Sequence, residues 1–151
     1  MVINCRHDAS VMSWIPQALR LPWRYARVWR MLLSESLREA VVDRCTADEI
    51  HSCVAYVTSV PFSSGTTLRF PGTTLEFPWD GFLAFVDLDP MANWGHACRY
   101  VLINPNTGEA KSIAAQFPPF GPERNREPKY HWRLLYQAPG VPDAVLAVPK
   151  T

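Results

Sequence analysis

This sequence predicts an α+β domain: an antiparallel β-sheet packed on one main amphipathic helix. Three observations carry that expectation. Residues 79–119 hold three short β-favouring runs separated by turn chemistry. Residues 34–44 hold an apolar stripe at helical spacing. Fourteen prolines spread over 151 residues keep elements short and connections extended.

The sheet is clearest between Trp79 and Pro119. Phe82-Leu83-Ala84-Phe85-Val86 is an apolar run stopped by Asp87, Asp89 and Pro90, and Tyr100-Val101-Leu102-Ile103 is a second run. Asn104-Pro105-Asn106-Thr107-Gly108 then supplies a turn, because proline presets φ while asparagine and glycine accept the left-handed region. A weaker run, Ala110 to Phe117, ends at Pro118-Pro119. Three strands joined in this way form a meander.

The expected helix is Ser34 to Arg44. Leu33, Leu37, Ala40, Val41 and Arg44 share one face, and Glu35, Arg38, Glu39 and Asp43 share the other. Ser36 with Glu39 fits a capping box, and Ser34 is an equally good cap. Before it, residues 21–33 are ambiguous: Arg20, Arg24, Arg27 and Arg30 recur at helical spacing, yet Tyr25, Val28 and Trp29 favour strands. Residues 1–22 read as an irregular arm or one short strand.

After the helix, Thr46 and Glu49 open a second capping box, and Cys53 to Phe62 alternates like a strand. A seven-residue repeat follows, Thr66–Pro71 and Thr73–Pro78, with Gly72 between the copies. Two copies are too few for a solenoid, so a hairpin or two edge strands is expected, in which Arg69 and Glu76 could face each other. Residues 119–128 form a polar, proline-punctuated loop. Tyr130 to Tyr136 adds a strand or short helix, and segment 137–151 is expected to be loosely attached.

The bulk numbers predict one domain over 1–151, with a formal charge of +1 that points to no strongly charged partner. The N-terminus lacks the pattern of a secretory signal and no run is long enough to span a membrane, so a cytoplasmic protein with reduced thiols is expected.

The densest polar cluster is Asp87, Asp89, Asn93, Trp94, His96, Cys98 and Arg99. It admits three readings. One is zinc: Cys5/His7, His51/Cys53 and His96/Cys98 are pairs two apart, and two such pairs on strands could build a tetrahedral site, although no recognised zinc spacing is present. Another is a cysteine nucleophile, Cys98, with His96 as base and Asp87 or Asp89 orienting it, although no strained nucleophile mount accompanies it. The third is structural: Asp87 and Asn93 brace the connection, Trp94 plugs the core and Arg99 pairs with an aspartate. The structural reading assigns neither a catalytic residue, a cofactor nor a metal.

Separately, Trp23, Arg24, Arg27, Trp29 and Arg30 form a basic, aromatic patch suited to an acidic peptide. The near-neutral total charge argues against nucleic acid.

The residues Phe82, Asp87, Pro90, Asn93, Trp94, His96, Cys98, Arg99, Tyr100 and Val101, followed by Thr107-Gly108-Glu109 and Pro118-Pro119, resemble a small bacterial domain. The run is similar to accessory proteins of ribosomally synthesised, post-translationally modified peptide pathways, of the crocagin type. The hairpin around Thr107-Gly108-Glu109 more loosely resembles PepSY-like propeptide domains. The resemblance implies a non-catalytic protein that holds a precursor peptide for the tailoring enzymes of its pathway. The sheet suggests how: open strand borders accept an extended peptide, or a second copy as a homodimer. The alternative is a small zinc- or cysteine-dependent hydrolase using His96 and Cys98.

Overall fold

The structure is a computed structural model that describes residues 23–120 and 130–148, with side chains described from Leu32 onward. The chain divides after Leu32 into two units, and the account below concerns the unit that begins at Leu33.

The main helix, α1, runs Trp23–Val42, so it begins well before Ser34. Nothing between Trp23 and Leu33 breaks a helix, and the arginine spacing outweighs the strand propensity of Tyr25, Val28 and Trp29. Ser34 and Ser36 are therefore interior residues and cap nothing; the Ser34 hydroxyl instead accepts a hydrogen bond from Arg133 Nη1 at 3.0 Å. The predicted faces are correct. Leu37 and Val41 are fully buried, Leu33 and Ala40 pack beside them, and Glu35, Arg38, Glu39 and Asp43 are exposed. The next helix, α2 (Ala47–Ile50), opens with the expected box: Thr46 Oγ1 accepts from Glu49 N at 3.2 Å, and Glu49 Oε2 accepts from Thr46 N at 2.8 Å.

Seven strands follow: β1 Val54–Thr58, β2 Thr67–Phe70, β3 Thr73–Glu76, β4 Phe82–Asp87, β5 Cys98–Ile103, β6 Ala110–Ala115 and β7 Trp132–Gln137. Five of them make one antiparallel sheet in the order β6-β5-β4-β1-β7, which contains the predicted meander β4-β5-β6. Both faces of this sheet are covered. Leu37 and Val41 of α1 pack on Ala55, Val57, Phe82, Ala84, Val86, Val101 and Ile103. The opposite face, with Val54, Tyr56, Leu83, Phe85, Tyr100, Leu102 and Trp132, lies under the repeat hairpin and the C-terminal segment. Every residue of β1 is buried for this reason, since alternate side chains enter different cores.

The repeat forms its own two-stranded sheet, β2-β3. Pro71 and Gly72, the latter at φ 69°, occupy the two central turn positions, the arrangement of a type II turn. Its register places Leu68 opposite Leu75, both buried, and Arg69 opposite Thr74. Glu76 faces Thr67, so the Arg69–Glu76 pairing expected from the repeat does not form: a hairpin pairs positions symmetrically about its turn, whereas a repeat aligns them in parallel.

The C-terminal segment, expected to be loosely attached over 137–151, is held tightly from 138 to 148. Ala138 is fully buried and its N–H donates to Cys53 O at 3.0 Å. Ala147 N–H donates to Tyr56 Oη at 2.9 Å, and Val148 joins the core. The anchoring comes from apolar residues spaced among the prolines, too far apart to register as an element. Residues 1–22, 121–129 and 149–151, including most of the expected 119–128 loop, lie outside the described part of the chain.

Gly81 shows how closely the entry to β4 is packed. A Cβ there would lie 2.1 Å from Ile103 O, a backbone atom held in β5. Gly81→Ala should therefore cost roughly 2–3 kcal/mol, by forcing the β4–β5 pair apart. Urea unfolding of the two proteins measures this as a lower midpoint with little change of slope.

Candidate functional site

The polar cluster that stands out in the sequence does not form one site. Cys98 and Arg99 are successive residues of β5 and so point to opposite faces of the sheet. The cluster divides with them.

On the hairpin side, Asp87 and Cys98 are cross-strand partners. His96 closes the connection between their strands: its Nε2 lies 2.8 Å from Asp87 Oδ1 and its Nδ1 lies 2.9 Å from Asn93 O. Asp89 N–H also donates to Asp87 Oδ1, at 3.1 Å. Asn93 O can only accept, so Nδ1 donates there, and Nε2 faces the Asp87 carboxylate. Burial raises the Asp87 pKa, and the neighbouring His96 opposes that shift. His96 thus links the Asp87 carboxylate to the main-chain carbonyl of Asn93.

The catalytic reading fails here on geometry. Cys98 is only 2% exposed, and burial together with the Asp87 carboxylate pushes its thiol up to about 11. A nucleophile needs access and a lowered pKa. Both His96 nitrogens are committed elsewhere, and among the described residues no hydrogen bond joins His96 to Cys98.

Trp94 departs from expectation too. It is 46% exposed and does not plug the core; it tilts against Phe117 with ring centroids 4.9 Å apart. Gly95 sits beside the same ring at φ 96°, a backbone conformation that favours glycine. Met91, 66% exposed, extends the apolar surface of this loop.

On the helix side, Arg99 pairs with Glu49 and not with an aspartate. Its Nη2 is 2.8 Å from Glu49 Oε1 and its Nη1 is 3.2 Å from Glu49 Oε2, a bidentate pair between mostly buried side chains. Nη1 also donates to Arg44 O. The Thr46 N–H and then the Arg99 guanidinium hold the Glu49 carboxyl below its ordinary value. Around this pair lie Cys45, Cys53 and Tyr136, whose hydroxyl donates to Ile50 O at 2.7 Å. The Arg38 guanidinium sits 5.5 Å from the Tyr136 ring centroid. Sequence reading missed this grouping. The capping box marks Glu49, but its partner lies fifty positions away on a strand.

The two described zinc pairs, His51/Cys53 and His96/Cys98, do not converge: Cys53 lies in the helix-side core and Cys98 in the hairpin-side core. His51 is exposed with Nδ1 against Ala47 O, while Cys53 is buried in the helix-side core. Among the described residues no group of three or more His, Cys, Asp or Glu is placed to hold a metal ion. Cys5 and His7 lie outside the described residues. Trp23, Arg24, Arg27, Trp29 and Arg30 fall on the first half of α1, where the backbone is helical and the side chains lie outside the described part.

Two strands, β6 and β7, have a sheet neighbour on one side only among the described residues. For β6 the orientation of the main chain follows from its turn. Asn104 N–H donates to Glu109 O at 2.8 Å, so alternation along the ladder directs the groups of Lys111, Ile113 and Ala115 towards β5. Those of Ala110, Ser112 and Ala114 point outward. Phe117, with Trp94 against it, lies just beyond the end of this strand.

Comparison with family models, curated proteins and solved structures finds no match to this chain. Among the described residues no helix is long and apolar enough to cross a membrane.

The Arg99–Glu49 pair gives a pH test. A carboxyl with a lowered folded pKa adds stability above its unfolded value, and that contribution is lost as pH falls through the folded value. Glu49→Gln keeps a capping-box residue but removes the charge, and should cost roughly 1–2 kcal/mol at pH 7. Thermal unfolding from pH 7 down to pH 3 should show wild type and variant converging at the acid end.

Proposed function

We propose that this protein is a non-catalytic peptide-binding protein whose β6 border takes an extended peptide as an added strand. The carrying observation is the outward-facing main-chain groups at Ser112 and Ala114, on a strand with a neighbour on one side only among the described residues; the next outward carbonyl, Ala110 O, already accepts from Arg44 Nη2 at 3.1 Å. Strand addition draws affinity from such groups and specificity from pockets for alternate side chains. The Trp94–Phe117 surface beyond the strand's end would take an apolar side chain of the peptide. The resemblance of residues 82–119 to crocagin-type accessory proteins favours a precursor peptide as the guest, presented to the tailoring enzymes of its pathway. Arg24, Arg27 and Arg30, with Trp23 and Trp29, would add contacts to acidic stretches of that peptide. The buried Cys98, with its raised pKa, argues against the hydrolase alternative.

Titration calorimetry with a candidate precursor peptide tests the reading. Ser112→Pro and Ala114→Pro each remove one outward N–H and leave the β5 ladder intact, a placement at which an edge strand tolerates proline. Each should weaken binding about tenfold, the scale of one lost hydrogen bond and its neighbour's strain. Unchanged affinity in both variants, with far-ultraviolet circular dichroism like that of the parent, would remove the β6 border from the mechanism.

A further inference from the structure

We infer that the guest strand on β6 runs antiparallel to it and ends in a free carboxylate held by Arg44. The inference rests on the β6 reading above. It adds a direction, a stopping point and a class of guest: an extended peptide that engages the border with its own carboxyl terminus.

Arg44 is fixed where it can act on this border. It follows the end of α1, its N–H donates to Val41 O at 3.0 Å, and its carbonyl accepts from Arg99 Nη1. Its partly buried side chain reaches from the helix to the sheet. Nη1 donates to Ala40 O at 3.0 Å and Nη2 to Ala110 O at 3.1 Å. Ala110 is the first residue of β6, and its main-chain groups face outward. The guanidinium therefore stands at the outer border where the strand begins. A guest paired with Ala114 and Ser112 meets it next.

The bonds that Arg44 makes do not exhaust it. A guanidinium offers five N–H donors in a planar fork that matches a carboxylate, and two carbonyls engage only part of that fork. The acidic residues nearest in sequence, Asp43 and Glu109, are exposed, and among the described residues neither forms an ion pair with it. Lys111 adds a second positive charge one position along the strand. The rest of β6, Ser112 to Ala115, carries no charge. One end of the border is thus cationic and the remainder is neutral.

That charge selects the direction. In parallel pairing the guest's amino end would arrive at Arg44 and Lys111, where like charges repel. In antiparallel pairing its carboxyl end arrives there, and a bidentate, charge-assisted contact is available. Antiparallel pairing also lets the guest residues facing Ala114 and Ser112 each exchange both main-chain hydrogen bonds with β6. A longer chain would have to pass the guanidinium, whereas a chain that stops leaves its carboxylate against it. Upstream, the guest runs towards Phe117 and Trp94, so the apolar side chain it presents there precedes its carboxyl end.

Titration calorimetry tests this with the candidate precursor peptide synthesised as the free acid and as its carboxamide. Wild type should bind the acid roughly tenfold more tightly than the amide, the scale of one charge-assisted contact. Arg44→Gln should weaken binding of the acid by that factor and leave the amide unchanged. Arg44→Lys, which keeps the charge without the fork, should recover part of the loss. An Arg44 that only braces the fold would weaken acid and amide alike, and that result overturns the assignment. Equal affinity of wild type for the two forms overturns it too; if Ser112→Pro still weakens both, strand addition at β6 stands and only the carboxyl end at Arg44 falls. Binding of neither form by wild type, or acid-selective binding untouched by Ser112→Pro and Ala114→Pro, would take the border reading down with it.

Discussion

Coverage of the central strands on both faces is the constraint from which the rest of this structure follows. Tyr56, Leu83, Phe85 and Tyr100 need a layer over them on one side, and Ala55, Ala84, Val86 and Val101 need one on the other. A single amphipathic helix covers only the second set. The first requires the β2-β3 hairpin and the segment 138–148, and that is why two short, proline-punctuated stretches are nevertheless fixed. Leu68, Leu75 and Phe77 from the hairpin, and Val148 from the C-terminal segment, bury side chains in a core that the sheet supplies. Each fully buried residue of this kind contributes on the order of 1.5–3 kcal/mol, enough to hold a short segment against its conformational entropy.

The polar clusters follow from the same alternation. At one end of the sheet β5 begins with Cys98 and Arg99, and each meets a different layer. Arg99 faces the connection from α1 to β1, where a buried guanidinium requires a carboxylate and carbonyls, and Glu49 and Arg44 O provide them. Asp87 faces the β4–β5 connection, where His96 and Asp89 satisfy it. Both clusters pin a loop to the end of the sheet. Removing one partner from either would leave a charge without compensation, so these loops are held more firmly than their lack of regular structure suggests.

What could be read in the sequence was whatever depends on neighbours along the chain. The meander, the faces of α1 and the Thr46–Glu49 box rest on local periodicity or on spacings of three and four, and all three are observed. The sequence places the start of α1 too late because Ser34 and Ser36 carry good capping chemistry, which acts only where a helix begins. The partner of Arg99, the exposure of Trp94 and the anchoring of 138–148 depend on long-range placement, and nothing near those residues encodes it. A dense sequence cluster such as 87–99 misleads in a particular way on a strand. Adjacent residues there are close in number and separated by the thickness of a sheet.

Covering both faces also restricts where another chain can engage main-chain groups of the sheet. The interior strands β1, β4 and β5 have neighbours on both sides, which leaves the outer borders of β6 and β7. These differ in character. β7 is largely half-buried and carries Arg133 and Tyr136, both tied to the helix side by hydrogen bonds to Ser34 and Ile50. β6 has small side chains, Ala110, Ser112, Ala114 and Ala115, with the exposed Lys111 near one end. Small side chains let a second backbone approach, and a lysine on an edge discourages indiscriminate pairing through its hydrated charge. If the β6 border is the proposed peptide site, an edge open at Ser112 and Ala114 among the described residues yet guarded by a lysine would suit a selective guest better than unrestricted self-association. The same lysine favours a guest with an acidic residue at the facing position, so charge and main-chain pairing would act together on one border.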